Sequence, residues 1–345
     1  RSILGAEFFE DLASRLGRDP KLLTEIITAP RTWYAERFAA GEQTVTRAAW
    51  ERTPFEIRPV LQLADGRFVV ISPRAISGWI GEGFYHRALA SARRSGLANR
   101  LQRFYGVLVE HYALHTLRQA HPEPRLPGSG RVAGEQSYGR GGGKKSPDMS
   151  VDCGPDLVLI EVASGRFALP TLIEGDPEKA AADLSRLLFR KLDQLGRRID
   201  DLLAGEWSPP DVAIESVKRI WPVVVTADML QNDLLWEEIN RRIPEGLKRA
   251  RVQRLTLLDL PDLELLAGLI ERGFALQDIL RRKATGPYVE MDLRRFVFDT
   301  PGIPHKVRPS AIENRWSEEM VKVAQLFGYD LDKEGARRRA EEGSA

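Results

Sequence analysis

Lys144-Lys145-Ser146-Pro147-Asp148-Met149-Ser150-Val151-Asp152-Cys153-Gly154-Pro155-Asp156-Leu157-Val158-Leu159-Ile160-Glu161-Val162-Ala163 decides how this chain is read. Two strand-like runs, 149–152 and 157–163, flank the turn Cys153-Gly154-Pro155-Asp156. The second run is apolar throughout except for Glu161, the pattern of a strand buried on both faces. An unpaired carboxylate in such a strand is costly. Glu161 must therefore be paired, bound to a metal, or set at an opening of the core. Asp148 starts the neighbouring strand, and a hairpin lays the two strands side by side, so both carboxylates can face one cavity. Two carboxylates and water suit a hard divalent cation, Mg²⁺ or Mn²⁺. Such an ion activates water and stabilises charge on a phosphodiester oxygen. Asp152 alternates onto the same strand face as Asp148 and is a further candidate. Asp156 and Cys153 lie in the turn and read as structural.

Upstream, residues 119–147 hold seven glycines and four prolines, with Arg125, Arg131, Arg140, Lys144 and Lys145 against Glu123 and Glu135. This reads as a long basic loop with one strand near 132–138. The Gly141-Gly142-Gly143-Lys144-Lys145 tip can approach phosphates, but Pro147 follows Ser146 where a Walker A loop would open a helix. Before the loop, Leu101, Phe104, Tyr105, Leu108, Tyr112, Leu114 and Leu117 predict a helix over about 98–118. His111 and His115 stand four apart on it, and one is expected to pack while the other is solvated. Downstream, helix is predicted over 178–204, strand over 220–226 (starting late because of Pro222), helix over 229–242, strand over 252–259 and helix over 262–285. Nearer the N-terminus, Asp65-Gly66 between two β-rich runs predicts a hairpin, and residues 6–28 carry helical spacing.

The helix at 178–204 matters for chemistry. At about 100° per residue, Leu184, Leu187, Leu188, Leu192, Leu195, Ile199 and Leu202 form one apolar arc with Lys191 near its middle. A lysine is rarely buried without a partner, and Asp148 and Glu161 are available. The alternative is that Lys191 snorkels at the edge of the packed face. Arg186, Arg190 and Arg197 lie on the outer side within about 40° of one another. With Arg140, Lys144 and Lys145 they outline a phosphate-tracking surface, or simply a solvated charged face. Arg166, just past the second strand, can reach back to clamp a phosphate.

The chain has 345 residues, enough for two or three domains. Apolar residues make up 43% and charged residues 29%, which excludes a largely disordered chain. Lys+Arg is 51 against Asp+Glu 49, so any nucleic-acid surface is a local patch. Cys153 is the single cysteine, which excludes internal disulfides and multi-cysteine metal sites and fits a reducing cytoplasm. No apolar run approaches the roughly 20 residues that span a bilayer. The chain begins at Arg1 with neither a methionine nor a signal-peptide pattern, compatible with a piece of a longer protein.

Pro147-Asp148, a hairpin, and Glu161-Val162-Ala163 resemble the signature of the PD-(D/E)xK nuclease superfamily, with Ala163 where the signature lysine stands. The order of helix, acid-bearing hairpin, helix and strand is also similar, over roughly 98–230. The resemblance implies an α/β fold with a restriction-endonuclease-like core: a mixed central sheet flanked by helices, over 98–235. Around it, 1–97 reads as a small α+β domain and 236–345 as a mainly helical extension. It further implies metal-dependent hydrolysis of DNA in restriction, repair or defence against phage. Asp148 and Glu161 would hold Mg²⁺ or Mn²⁺, with Glu110 on the first helix as a further acid. Some relatives carry the lysine on the following helix, which Lys191 followed by Gln194 resembles. The competing readings are an inactive nuclease-like scaffold or nucleic-acid-binding subunit, and a plain interaction protein. The terminal regions would serve for homo-oligomers or a larger assembly.

Overall fold

The computed structural model describes residues 3–4, 10, 14, 19–41, 55, 58–71, 82–121, 130–166, 177–227 and 233–326. The chain divides into two units, 1–99 with 315–345, and 100–314.

The first unit holds β1 (Ile3–Leu4), α1 (Pro20–Ile27), β2 (Thr28–Pro30), α2 (Arg31–Gly41), β3 (Val60–Gln62), β4 (Phe68–Val70) and α3 (Glu82–Arg94). Its four strands run in the order β1-β4-β3-β2. The predicted hairpin is β3–β4, and Asp65 closes its turn by accepting the Arg67 amide. Asp19 caps α1 ahead of Pro20. Most of the predicted helix before residue 19 lies outside the described residues.

The second unit carries the acidic hairpin. Its elements are α4 (Ala98–Ala120), β5 (Arg131–Gly134), β6 (Ser137–Tyr138), β7 (Lys144–Lys145), β8 (Met149–Cys153), β9 (Asp156–Ala163), α5 (Pro177–Leu184), α6 (Arg190–Leu203), β10 (Arg219–Thr226), α7 (Asp233–Arg242), β11 (Thr256–Asp259), α8 (Leu260–Glu271), α9 (Leu276–Lys283) and α10 (Leu293–Asp299), while α11 (Ser310–Leu326) crosses the boundary at residue 314. A five-stranded mixed sheet runs β11-β10-β9-β8-β5. β9 lies at its centre, antiparallel to β8 and parallel to β10, and all eight of its residues are buried. The fold is α/β, a mixed sheet flanked by helices.

Alternation along β9 sorts the core into two layers. Val158, Ile160 and Val162 join Val109, Ala113 and Leu117 of α4 and the apolar side chains of α8 on one face. Leu157, Leu159 and Ala163 join Leu188, Leu192, Leu195, Ile199 and Leu202 on the other. Glu161 therefore points to the layer covered by α6.

Several elements depart from the sequence reading for physical reasons. Pro222 stands inside β10 and does not delay it. Ile220 exchanges hydrogen bonds with Arg251 and Gln253, and the ladder to β11 resumes at Val223. Pro222, two residues after Ile220, thus turns its missing N–H to the same side, in the gap between those contacts. The stretch after 235 does not stand apart from the core, because β11 extends its sheet and α8 packs on it. The helix predicted over 262–285 breaks into α8 and α9 at Gly273, whose φ of 88° suits glycine. The helix predicted over 178–204 contains a π turn, Ser185–Phe189, between α5 and α6.

One contact fixes how α6 lies. A Cβ added at Gly246, in the short 3₁₀ turn Glu245–Lys248, would come 2.1 Å from the Gly196 carbonyl oxygen. The 3₁₀ backbone thus rests directly on the helix backbone. Gly246→Ala is expected to lower stability by about 1–3 kcal/mol, read as a lower urea midpoint at unchanged slope; an unchanged midpoint would refute this packing.

Candidate active site

The site is built on the C-terminal half of β9. Glu161 is fully buried on the face towards α6. Asp148 immediately precedes β8, where the β8–β9 register (Met149 opposite Ile160) brings it level with Glu161. Its Oδ2 accepts the Val162 amide at 2.7 Å, which orients the carboxylate. The predicted geometry therefore holds: both carboxylates lie on one face of the sheet.

Lys191 descends from α6 between them. Its Nζ lies 3.1 Å from Asp148 Oδ2 and 3.0 Å from Glu161 Oε2. The other oxygen of Glu161, Oε1, meets a guanidinium nitrogen of Arg198. Lys191 and Arg198 are seven residues apart, about two helical turns, so one helix face delivers both cations. Side-chain exposure falls from 22% at Lys191 to 14% at Arg198, 9% at Asp148 and zero at Glu161. Lys191 faces the mouth of the site and Arg198 its floor. The Trp207 indole donates to the Arg198 carbonyl at 2.8 Å and holds this stretch of α6 in place.

Arg198 was not singled out from sequence. The helical wheel nonetheless puts it only about 20° from Lys191, and that coincidence was the available signal. Ala163 lies two residues beyond Glu161 on the same face, with its methyl group in the apolar cluster of Leu188 and Leu192. The ammonium beside the two carboxylates comes from Lys191 of α6. Gln194, one turn after Lys191, is half-buried.

Glu110 comes from α4, which covers the opposite face of the sheet. Among the described residues it makes no hydrogen bond to Asp148, Glu161 or Lys191. It is near enough to feel Asp148 and Lys191: burial first, then the Asp148 charge, push its carboxyl above the ordinary 4.5, with Lys191 acting the other way. His111 and His115 are exposed with stacked rings 6.4 Å apart. Asp152 accepts the Gly154 amide at 3.0 Å, at the far end of the hairpin from Asp148. Asp156 is structural: it takes Arg219 through both oxygens, at 2.5 and 2.7 Å, and the Trp221 indole at 2.8 Å.

The basic residues divide. Lys144 Nζ is 2.6 Å from Glu206 and 3.2 Å from Asp201, and Lys145 Nζ is 2.6 Å from Glu135. Tyr138 adds a 2.7 Å hydrogen bond to Asp201, so the β6–β7 hairpin is fastened to the end of α6. The glycine-rich segment is thus an anchored hairpin with Arg140 exposed at its tip, while residues 122–129 lie outside the description. Arg166 donates to the Tyr105 hydroxyl at 3.0 Å, and its carbonyl accepts from Arg186, which also pairs with Asp183. The π turn shifts the phase between Arg186 and the two later arginines, so the 40° grouping, derived for an unbroken α-helix, does not apply. Arg190 and Arg197 are exposed.

The donor set fits a hard divalent cation. Oxygens of Asp148 and Glu161 come together within hydrogen-bond reach of one ammonium, and Mg²⁺ commonly takes one or two carboxylates with the rest of its shell as water. Among the described residues, no group of three or more His, Cys, Asp or Glu side chains is assembled for a metal. No helix among them is long and apolar enough to cross a membrane. No family model matches the chain, and no curated protein matches it.

Two outcomes follow from the charges. Arg198→Met leaves the buried Glu161 short of a cation and is expected to cost about 3–5 kcal/mol in urea unfolding; a loss under about 1 kcal/mol would contradict the pairing. For Glu110 the sign runs the other way. Its folded-state pKa is raised, so ionising it favours the unfolded chain and stability is lost as pH rises through 4.5. Glu110→Gln should match the wild type below that pH and be more stable near neutrality. A gap of the opposite sign at pH 7 would overturn the assignment.

Proposed function

We propose that this protein is a metal-dependent nuclease of the restriction-endonuclease-like type, hydrolysing phosphodiester bonds of DNA. The observation that carries the proposal is the Lys191 ammonium held between Asp148 and Glu161. Two acids and one lysine are the chemical content of the PD-(D/E)xK signature, with the lysine supplied by the helix after the strand. Retaining four charges in an otherwise apolar layer favours a functional origin, because well-packed apolar side chains would serve stability at least as well.

Asp148 and Glu161 would hold Mg²⁺ or Mn²⁺, with Glu110 nearby. The bound ion would supply an activated water and neutralise charge on the phosphate. Val162 fixes the Asp148 carboxylate through its amide, and Arg198 fixes Glu161 from below. Lys191, at the mouth, offers its ammonium to a non-bridging phosphate oxygen, where negative charge grows as the bond breaks. Burial and the Asp148 charge raise the proton affinity of Glu110, which stands beside the site. Arg140, Arg190 and Arg197 are exposed cations suited to following a phosphate backbone. Lys144 and Lys145 have acidic partners to exchange first.

One observation favours the inactive scaffold: both oxygens of Glu161 already have cationic partners. Incubation with plasmid DNA and a matched RNA, with and without Mg²⁺ or Mn²⁺, separates the two. We expect metal-dependent DNA cleavage that falls at least about a hundredfold in Asp148→Asn and in Lys191→Met. Chelator-resistant cleavage, or equal activity in both variants, would sink the proposal. Absence of cleavage in any metal would favour the scaffold.

A further inference from the structure

The two cations on Glu161 differ in kind. Arg198 contacts Oε1 at the floor of the site through a nitrogen that solvent does not reach. Lys191 is the more exposed of the two, on a flexible stem, and divides one ammonium between Asp148 and Glu161. A divalent cation held by both carboxylates needs the charge that Lys191 now neutralises. It does not need the one that Arg198 neutralises.

We infer that Lys191 is an exchangeable place-holder, occupying the inter-carboxylate position until a divalent cation displaces its ammonium towards the mouth, while Arg198 stays as the fixed counter-charge that keeps Glu161 oriented. The inference rests on the metal-dependent reading above and adds an order of events to it. Metal entry and the release of Lys191 become one exchange. The ammonium is freed for a phosphate only once the ion is in place, and the floor of the site retains its arginine–glutamate pair throughout.

The exchange predicts the unusual result that removing the lysine strengthens metal binding. Isothermal titration of the DNA-free protein with MnCl₂ and, separately, MgCl₂ reads this without any measure of cleavage. Lys191→Met keeps the length of the stem and removes the competing charge, so its cation affinity should rise at least tenfold over the wild type. Lys191→Arg keeps the charge and adds a fork that grips carboxylates more firmly, so its affinity should fall at least tenfold. The second variant keeps the test open should Lys191→Met fold poorly in the absence of metal. Equal affinity in the wild type and the variants, or the reverse order, would overturn the place-holder role and leave the metal-dependent reading standing. Binding in none of them would remove both.

Discussion

A carboxylate stands in the middle of an apolar sheet, and the second unit is arranged around that charge. Glu161 is flanked in β9 by Ile160 and Val162, all fully or almost fully buried. Its charge cannot remain there unpaired. The compensation comes from α6, which is apolar along the rest of its inner face yet carries Lys191 and Arg198 two turns apart. The helix must then lie so that Lys191 reaches one Glu161 oxygen and Arg198 the other. The Gly196–Gly246 contact, the Trp207 hydrogen bond and the β6–β7 hairpin fastened to Asp201 all bear on that position. Much of the local architecture is the support required by one ion-pair cluster.

The same cluster explains the division of labour among the basic residues. Lysines at 144 and 145 lie close in sequence to Asp148, and a reading by proximity assigns them to phosphate. In the fold they neutralise acids on neighbouring elements and hold the hairpin in place. Arg190 and Arg197 on α6 and Arg140 at the hairpin tip stay exposed to solvent. Surface ion pairs of this sort contribute little to stability, so what they supply is placement: they hold the segment leading into Pro147-Asp148 against α6.

Much of the core was legible because its signals are local. The apolar run of β9, the hairpin before it and the helices on either side follow from periodicities of 2 and 3.6. Asp148 and Glu161 share a face because the hairpin register sets them opposite each other. Lys191 could be placed by helical-wheel arithmetic because its stretch of helix is regular. Arg198 obeys the same arithmetic, but it was hidden next to Arg197, about 100° away on the solvent side. The π turn at Ser185–Phe189, the accommodation of Pro222 and the recruitment of β11 were not legible. Each depends on a partner distant in sequence: the packing of α5 and α6 on one sheet, a gap in the ladder to β11, and a fifth strand needed beside β10.

Residue order by itself determined which side chains exist to do chemistry and which face of each element they occupy, since alternation and helical pitch are properties of the backbone alone. Only the tertiary structure decided which faces meet. Whether Lys191 reaches Asp148 and Glu161 depends on the crossing of α6 over the sheet, and that is set by packing between segments some thirty to fifty residues apart. Lys191 of α6 meets the carboxylates because helix and strand converge on one layer in space, though nothing in their separation along the chain requires it.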